Sequence, residues 1–254
     1  MEAPERLISA KERGSVLVVG GGLAGMTAAH HLAEWGAEVV LVDSAQTIGG
    51  AFLLLDHTFT TDSCGLCLAL PDQPSTCPTL ATVAHPRITT MTGTTLTALE
   101  GELGRFRARL RREPRLVDAE RCDACGLCAD VCPIVRSRSR WGRFIGDGGD
   151  PVWDSRRRKA IHPPAPRAMQ QAYAVDTDAC TRCGACVESC PQHAIDLDAA
   201  DGEPEAIEVG AVVLAPGFAP FDAARAVEYG WGRCANVVTS LELEHMLNRS
   251  GPTK

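Results

Sequence analysis

The sequence is poor in aromatic residues: six Phe, four Trp and two Tyr make up 5% of its 254 residues. It contains no apolar run near the ~18 residues that a membrane-spanning helix requires. The first 13 residues, MEAPERLISAKER, are charged and lack the apolar centre of a secretory signal. No Ser/His/Asp arrangement and no paired carboxylates stand out, so no catalytic acid, base or nucleophile is named. Apolar residues make up 45% and charged residues 22%, which excludes disorder of the chain as a whole. The length suits one or two domains with a sizeable core.

Cysteine, by contrast, is abundant at 12 residues. Without a secretory signal, that number argues against a disulfide framework and for metal or redox chemistry in a reducing compartment. Charge is uneven. Residues 105–167 hold 16 of the 25 Lys+Arg and 8 of the 32 Asp+Glu, a net +8 against −15 for the rest. A nucleic-acid face would want aromatics for base stacking, and this stretch has few. The plainer reading is a solvated basic loop offsetting nearby anionic groups, suited also to an acidic protein partner.

Two copies of one cysteine spacing dominate the chain. Cys122-x2-Cys125-x2-Cys128-x3-Cys132-Pro133 lies within DAERCDACGLCADVCP, residues 118–133. Cys180-x2-Cys183-x2-Cys186-x3-Cys190-Pro191 lies within DTDACTRCGACVESCP, residues 176–191. This is the spacing of bacterial two-cluster ferredoxins, in which the fourth cysteine of each run ligates the other cluster. Cys122, Cys125, Cys128 and Cys190 are therefore assigned to one [4Fe-4S] cluster, and Cys180, Cys183, Cys186 and Cys132 to a second. Gly126 and Gly184 let the loop backbone approach sulfide. Structural zinc is the rival, but zinc sites use separated CxxC or Cys/His pairs. The stretch 137–168 between the runs reads as mostly loop.

Near the N-terminus, Ser15–Gly20 (SVLVVG) is a short apolar run, as expected of a buried parallel strand. Leu23–Trp35 follows as a helix stopped at Gly36, and Glu38–Asp43 is a second buried strand. Gly20-x-Gly22-x-x-Gly25 sits at the first corner of this β-α-β unit. Gly20 allows the tight turn, Gly22 lets a pyrophosphate approach the backbone, and Gly25 lets helix and strand pack. The helix start at Leu23 and Ala24 offers N–H groups and a positive dipole end. Asp43 ends the second strand, where a carboxylate accepts ribose hydroxyls. The motif alone does not separate FAD from NAD. Two features favour FAD: the sequence holds one such motif, and AVVLAPG at 211–217, with Gly217, looks like the strand and turn that close an FAD domain.

Other segments are read more coarsely. Arg105–Arg111 alternates strictly and reads as a half-exposed strand. Ile195–Leu197 and Ile207–Val209 are candidates to pair as a hairpin. Ala211–Ala215 reads as a buried strand, and Thr239-x-x-Glu242 as a capping box before a helix with Leu243 and Leu247. His30 and His31 read as packing or surface residues. Cys64, Cys67, Cys77 and Cys234 allow three readings: a third iron–sulfur cluster, a CxxC dithiol, or ordinary thiols.

The order of these motifs is similar to that of a known family. VLVVGGGLAGMTAAHHLAEWGAEVVLVDSAQTIGG, then DSCGLCLAL, the double cysteine run, VGAVVLAPGFAPFD and EYGWGRCANVVTSLELEHMLNRSGPT resemble the heterodisulfide reductase A-subunit family over about 15–254. The resemblance implies an α/β fold, a Rossmann-like FAD-binding domain split by an inserted α+β two-cluster ferredoxin domain. The parts expected are 14–114, 115–200 and 201–254. It implies FAD bound at Gly20, Gly22, Leu23, Ala24, Gly25 and Asp43, with Gly49 and Gly50 as the GG turn that follows and Gly217 closing the site. It implies an oxidoreductase component of a cytoplasmic multisubunit redox complex, in some relatives a flavin-based bifurcating one. No nucleic acid and no membrane span are expected. The chain is expected to be a short form without the N- and C-terminal extensions of longer relatives. A non-catalytic electron conduit with an incomplete flavin site is the rival function, and a stand-alone NAD-linked oxidoreductase a third.

Overall fold

A computed structural model describes residues 6–8, 14–54, 77–136, 158–162, 172–200, 202, 204–218, 221–234, 236–240 and 243. In chain order its first half contains β1 (Arg6–Ile8), β2 (Ser15–Val19), α1 (Leu23–Glu34), β3 (Glu38–Val42), α2 (Pro78–Ala84), β4 (Ile88–Met91), β5 (Thr94–Glu102) and β6 (Arg105–Arg112). Next come α3 (Leu127–Val131), β7 (Val135–Arg136), β8 (Arg158–Lys159), β9 (Ile161–His162), β10 (Ala174–Val175), α4 (Ala185–Ser189), β11 (Glu205–Val209) and β12 (Ala211–Leu214). Among the described residues no helix is long and apolar enough to cross a membrane.

The chain divides into two compact units. One comprises Met1–Gly50, Leu66–Arg115 and Asp198–Gly217; the other comprises Ala51–Gly65, Leu116–Leu197 and Phe218–Lys254. The first unit carries a four-stranded, all-parallel sheet in the order β12-β2-β3-β4. Its central strands are apolar on both faces because both faces are covered. Leu17 and Val42 pack on Ala108, Leu110, Ile207 and Val209 of a second sheet, ordered β1-β11-β6-β5. The intervening Val18 faces the other way, toward α1 at Gly25. Helix α1 buries Gly25, Met26, Ala29, His30 and Ala33, one stripe at helical spacing. Complete burial of Leu17, Leu41 and Leu110 contributes about 1.5–3 kcal/mol each. The helix ends where Gly36 takes φ +93° and donates to the Ala33 carbonyl.

Several local expectations differ from this arrangement. Ile207–Val209 does not pair with Ile195–Leu197. It belongs to β11, which runs antiparallel to β6 and parallel to β1, while Ile195 bridges Val117. The apolar side of β11 packs on Leu17 and Val42 of the parallel sheet, neighbours that local pattern cannot name. Strand β12 is half-exposed rather than buried, because it lies at the sheet edge. Within 137–168 only 158–162 are described, and they hold the two-residue strands β8 and β9. Helix α2 and strands β4 and β5 have no counterpart among the elements expected from periodicity. Glu242 and Leu247 of the expected C-terminal helix lie outside the described residues, although the Leu243 N–H does donate to the Thr239 carbonyl.

The alternating arginines of β6 face glutamates on both flanking strands. Arg105 and Arg107 register with Glu102 and Glu100 of β5, and Arg107 also registers with Glu208 of β11. Arg109 pairs with Glu100 at 3.3 Å. This part of the basic stretch is therefore laddered by cross-strand charge pairs.

Candidate functional site

In the first unit the glycine turn between β2 and α1 is fixed by close backbone contacts. A Cβ on Gly20 would lie 2.0 Å from the Ala215 carbonyl oxygen, and one on Gly25 would lie 1.7 Å from the Gly20 carbonyl oxygen. These two glycines let strand, helix and the end of β12 approach one another. Gly22 is different: a Cβ there would meet nothing nearer than the Gly50 Cα at 3.9 Å. It leaves open space at the start of α1, which has no side-chain cap. Leu23 and Ala24 form the first turn there. Gly49 donates to the Gly21 carbonyl at 2.8 Å, and a Cβ on Gly50 would press on Gly22 at 2.9 Å. The GG pair thus packs on the first glycine turn. Gly217 adopts φ +77° in the loop after β12, with nothing within 4 Å of a Cβ there.

Gly21, between the motif glycines, is an addition that sequence spacing missed. A Cβ on it would lie 2.7 Å from Ile48 Cγ2 and 3.0 Å from Asp43 Oδ2. The run of three glycines, Gly20–Gly22, was the available signal. Asp43 Oδ2 accepts the Gly21 N–H at 2.6 Å, and Oδ1 accepts the Ala45 N–H at 2.8 Å. The carboxylate therefore ties the end of β3 to the glycine turn, and each oxygen keeps a lone pair for a ribose hydroxyl. Burial raises the Asp43 pKa, against the pull of the two N–H donors.

This arrangement makes Asp43→Ala more than the loss of a ribose contact. Two charged hydrogen bonds go with it, each worth about 1.5–3 kcal/mol. The expected result is a lower denaturation midpoint even without nucleotide. Asp43→Asn separates charge from shape. A folded-state pKa above the unfolded value contributes stability that is complete below about 3.8 and lost as pH rises through the raised value. Denaturant melts of the two proteins across this window should shift in favour of Asn as pH rises.

In the second unit the two cysteine runs fold alike. Gly126 and Gly184 take left-handed φ of +89° and +80° and start α3 and α4. Ala124 and Arg182, at matching positions, also have positive φ. Cys122 N–H donates to the Asp118 carbonyl, and Cys180 N–H to the Asp176 carbonyl. The fold gathers Cys122, Cys125, Cys128 and Cys190 around one recess, lined also by Val117, Asp123 and Tyr173. It gathers Cys180, Cys183, Cys186 and Cys132 around another, lined by Ile134, Ala160, Ile161, Val175, Thr181 and Leu197. Each recess takes three cysteines from one run and one from the other.

Burial, with the neighbouring thiols, pushes the Cys128 thiol up to about 12 and raises that of Cys186. A thiolate there needs a cation, so metal ligation must expel protons. The Asp123 carboxyl is lowered by the Cys125 backbone N–H, the Cys125 thiol and the Gln192 side chain. Among the described residues no group of three or more His, Cys, Asp or Glu is arranged around a single ion. Tetrahedral zinc would require thiolates about 2.3 Å from one point. Four thiols around one recess are a donor set that fits a [4Fe-4S] cluster.

Cys77 is exposed before α2, its Sγ 3.0 Å from Thr79 Oγ1. Cys234 is exposed. Cys64 and Cys67 lie outside the described residues. His30 is buried edge-on to His85 at 5.6 Å, and burial lowers its pKa. His31 lies beside Trp35 on the exposed side.

Similarity to known proteins gives the class first. Residues 15–61 match an FAD binding domain, and residues 118–194 and 179–237 each match a 4Fe-4S dicluster domain. These matches give the class of protein, one with an FAD-binding domain and 4Fe-4S dicluster domains. The chain is 37% identical over 247 residues to the A subunit of the Ferredoxin:CoB-CoM heterodisulfide reductase of Methanosarcina mazei, covering 96% of this chain and 29% of that one. It is 40% identical over 244 residues to an iron-sulfur A subunit of the CoB--CoM heterodisulfide reductase of Methanopyrus kandleri, covering 94% and 34%. It is 36% identical over 254 residues to the corresponding iron-sulfur A subunit of Methanocaldococcus jannaschii, covering 99% and 35%. The chain spans about a third of the length of these curated relatives, and over that segment it is similar to heterodisulfide reductase A subunits. Among solved structures, L-proline dehydrogenase from P. horikoshii matches 44% of this chain and 20% of its own, at 17% identity and a TM-score of 0.33.

Proposed function

We propose that the chain is the FAD- and [4Fe-4S]-binding part of an oxidoreductase component that passes electrons between a flavin and two clusters. It would act within a cytoplasmic, heterodisulfide-reductase-like complex of several subunits. The observation that carries this reading is the pair of four-cysteine recesses, in a chain that also holds the FAD-type glycine turn. Bound FAD would supply two-electron chemistry, and the clusters one-electron transfer.

The chain's own residues have positioning roles in this reading. Gly22 and the start of α1 take the pyrophosphate, with Gly49 and Gly50 packed behind. Asp43 holds the turn and faces the ribose. Cys122, Cys125, Cys128 and Cys190 hold one cluster, and Cys180, Cys183, Cys186 and Cys132 the other. The ferredoxin domain occupies about 115–200, between flavin-domain segments at 14–114 and 201–254. The parallel pairing of β12 with β2 supports this division, since it joins residues on either side of the cysteine runs.

Anaerobic purification tests the reading. The protein should show flavin bands near ~450 nm over broad cluster absorption, with extractable FAD. Roughly eight iron and eight sulfide per chain are expected, or about twelve if Cys64, Cys67 and Cys77 ligate a third cluster. Iron and sulfide without flavin would favour the electron conduit, and bound NAD the stand-alone oxidoreductase.

A further inference from the structure

The two recesses share one frame, with counterpart residues 58 positions apart. Cys128 and Cys186 are both 7% exposed, and Cys125 and Cys183 are both exposed. One backbone N–H reaches a ligand sulfur at each site, Ala194 to Cys190 and Arg182 to Cys180, both at 3.4 Å. N–H···S bonding among the described residues, one of the levers that set a cluster's potential, is therefore matched, and solvent access is matched at three of the four cysteines.

Local charge is not matched. Asp123 lines the first recess, its Oδ1 accepting the Cys125 N–H and its Oδ2 the Gln192 side-chain N–H, both at 3.2 Å. The counterpart lining the second recess is the neutral Thr181. Each run also carries one arginine next to a cysteine, Arg121 beside Cys122 and Arg182 beside Cys183, so the arginines do not distinguish the sites. The Lys159 ammonium donates to the carbonyl of Cys132, fourth cysteine of the second recess, at 2.6 Å. An anion thus stands against one site and the Lys159 ammonium against the other. The recesses differ further in Tyr173, present in the first where the second has aliphatic neighbours, and in the fourth cysteine, buried at Cys132 and half-buried at Cys190.

We propose that Asp123, opposed by Lys159 at the other site, makes the Cys122/Cys125/Cys128/Cys190 cluster the lower-potential centre and the Cys180/Cys183/Cys186/Cys132 cluster its electron acceptor. The inference rests on the reading that each recess holds one [4Fe-4S] cluster. Reduction adds one negative charge to a cluster. A neighbouring carboxylate disfavours that step, and a neighbouring ammonium or guanidinium favours it. One electron leaves the first cluster, which is oxidised, and reduces the second; no bond is made and no proton moves. The fold would thereby give transfer across this domain a direction.

The test is an EPR-monitored potentiometric titration of the full chain with iron and sulfide quantified. Wild type should show two waves. Asp123→Asn keeps the shape and an acceptor for the Cys125 N–H. It should raise the lower wave alone, by about threefold in the one-electron equilibrium, or about 28 mV at 59 mV per tenfold. Thr181→Asp should lower the upper wave by a similar amount. Both shifts should shrink in high salt, which a merely structural effect would not do. The proposal is overturned by one unresolved wave, by variants that move the same wave or neither, or by Tyr173→Phe alone closing the gap. A chain that takes up no iron and sulfide refutes the cluster reading itself, a result distinct from clusters that assemble fully with unmoved potentials.

Discussion

Cys128→Ala is expected to carry about half the iron and sulfide of the wild-type chain after anaerobic purification, roughly four of each rather than eight. Cys128 is the most perturbed ligand candidate: buried, with its thiol pushed up to about 12. Such a group has no favourable ionised state without a metal beside it, so its substitution removes both a ligand and the reason for the recess. Ligation contributes folding energy, and the second unit should therefore melt at lower temperature. Cys234→Ala, at an exposed thiol outside both recesses, is the control and should keep its full complement. Unchanged iron and sulfide in the Cys128 variant would strike it from the ligand set, and stoichiometric zinc without sulfide would sink the cluster assignment.

Two glycines of one motif should fail in different ways. Gly25→Val places a side chain where even a Cβ lies 1.7 Å from the Gly20 carbonyl oxygen. The obstacle is backbone and no rotamer avoids it, so the cost should exceed the ~3 kcal/mol of ordinary overpacking. The first unit is expected to lose its fold, seen as lost far-UV dichroism and rapid proteolysis. Gly22→Val meets open space instead, its nearest neighbour 3.9 Å away. That variant should fold, keep its iron and lose its flavin, because the branched side chain fills the space kept for the pyrophosphate. A folded Gly22→Val protein with full flavin would move the nucleotide site elsewhere.

The parts legible in the sequence are those fixed by local chemistry. SVLVVG, the helix after it and EVVLVD carry their own periodicity and stop signals, and the structure places β2, α1 and β3 within a residue of the expected ends. The alternation of β6 was equally plain. The eight cysteines of the two runs that the spacing singles out are those that line the two recesses. What was illegible depends on distant neighbours. The β11 pattern fits either a local hairpin or a pairing with β6, and only the packing of Ile207 and Val209 on Leu17 and Val42 decides. The Thr-rich β5 has little apolar contrast to mark it. Asp43 was visible as a carboxylate at a strand end, but its hold on Gly21 follows from the turn's three-dimensional path.

The crossed sharing of cysteines bears on how the duplicated segment can change over generations. A lesion in either copy opens a recess that the other copy helps to close, so neither half can decay while its twin is kept. The two runs should then diverge wherever a side chain serves one copy alone and stay alike where it serves both. Of the 16 aligned positions in 118–133 and 176–191, seven are identical: one Asp, four Cys, one Gly and one Pro. The identical Asp supplies the carbonyl that receives the first cysteine's N–H, and the identical Gly opens each short helix. Most of the residues between the cysteines differ between the two runs, which leaves each half free to carry its own surroundings.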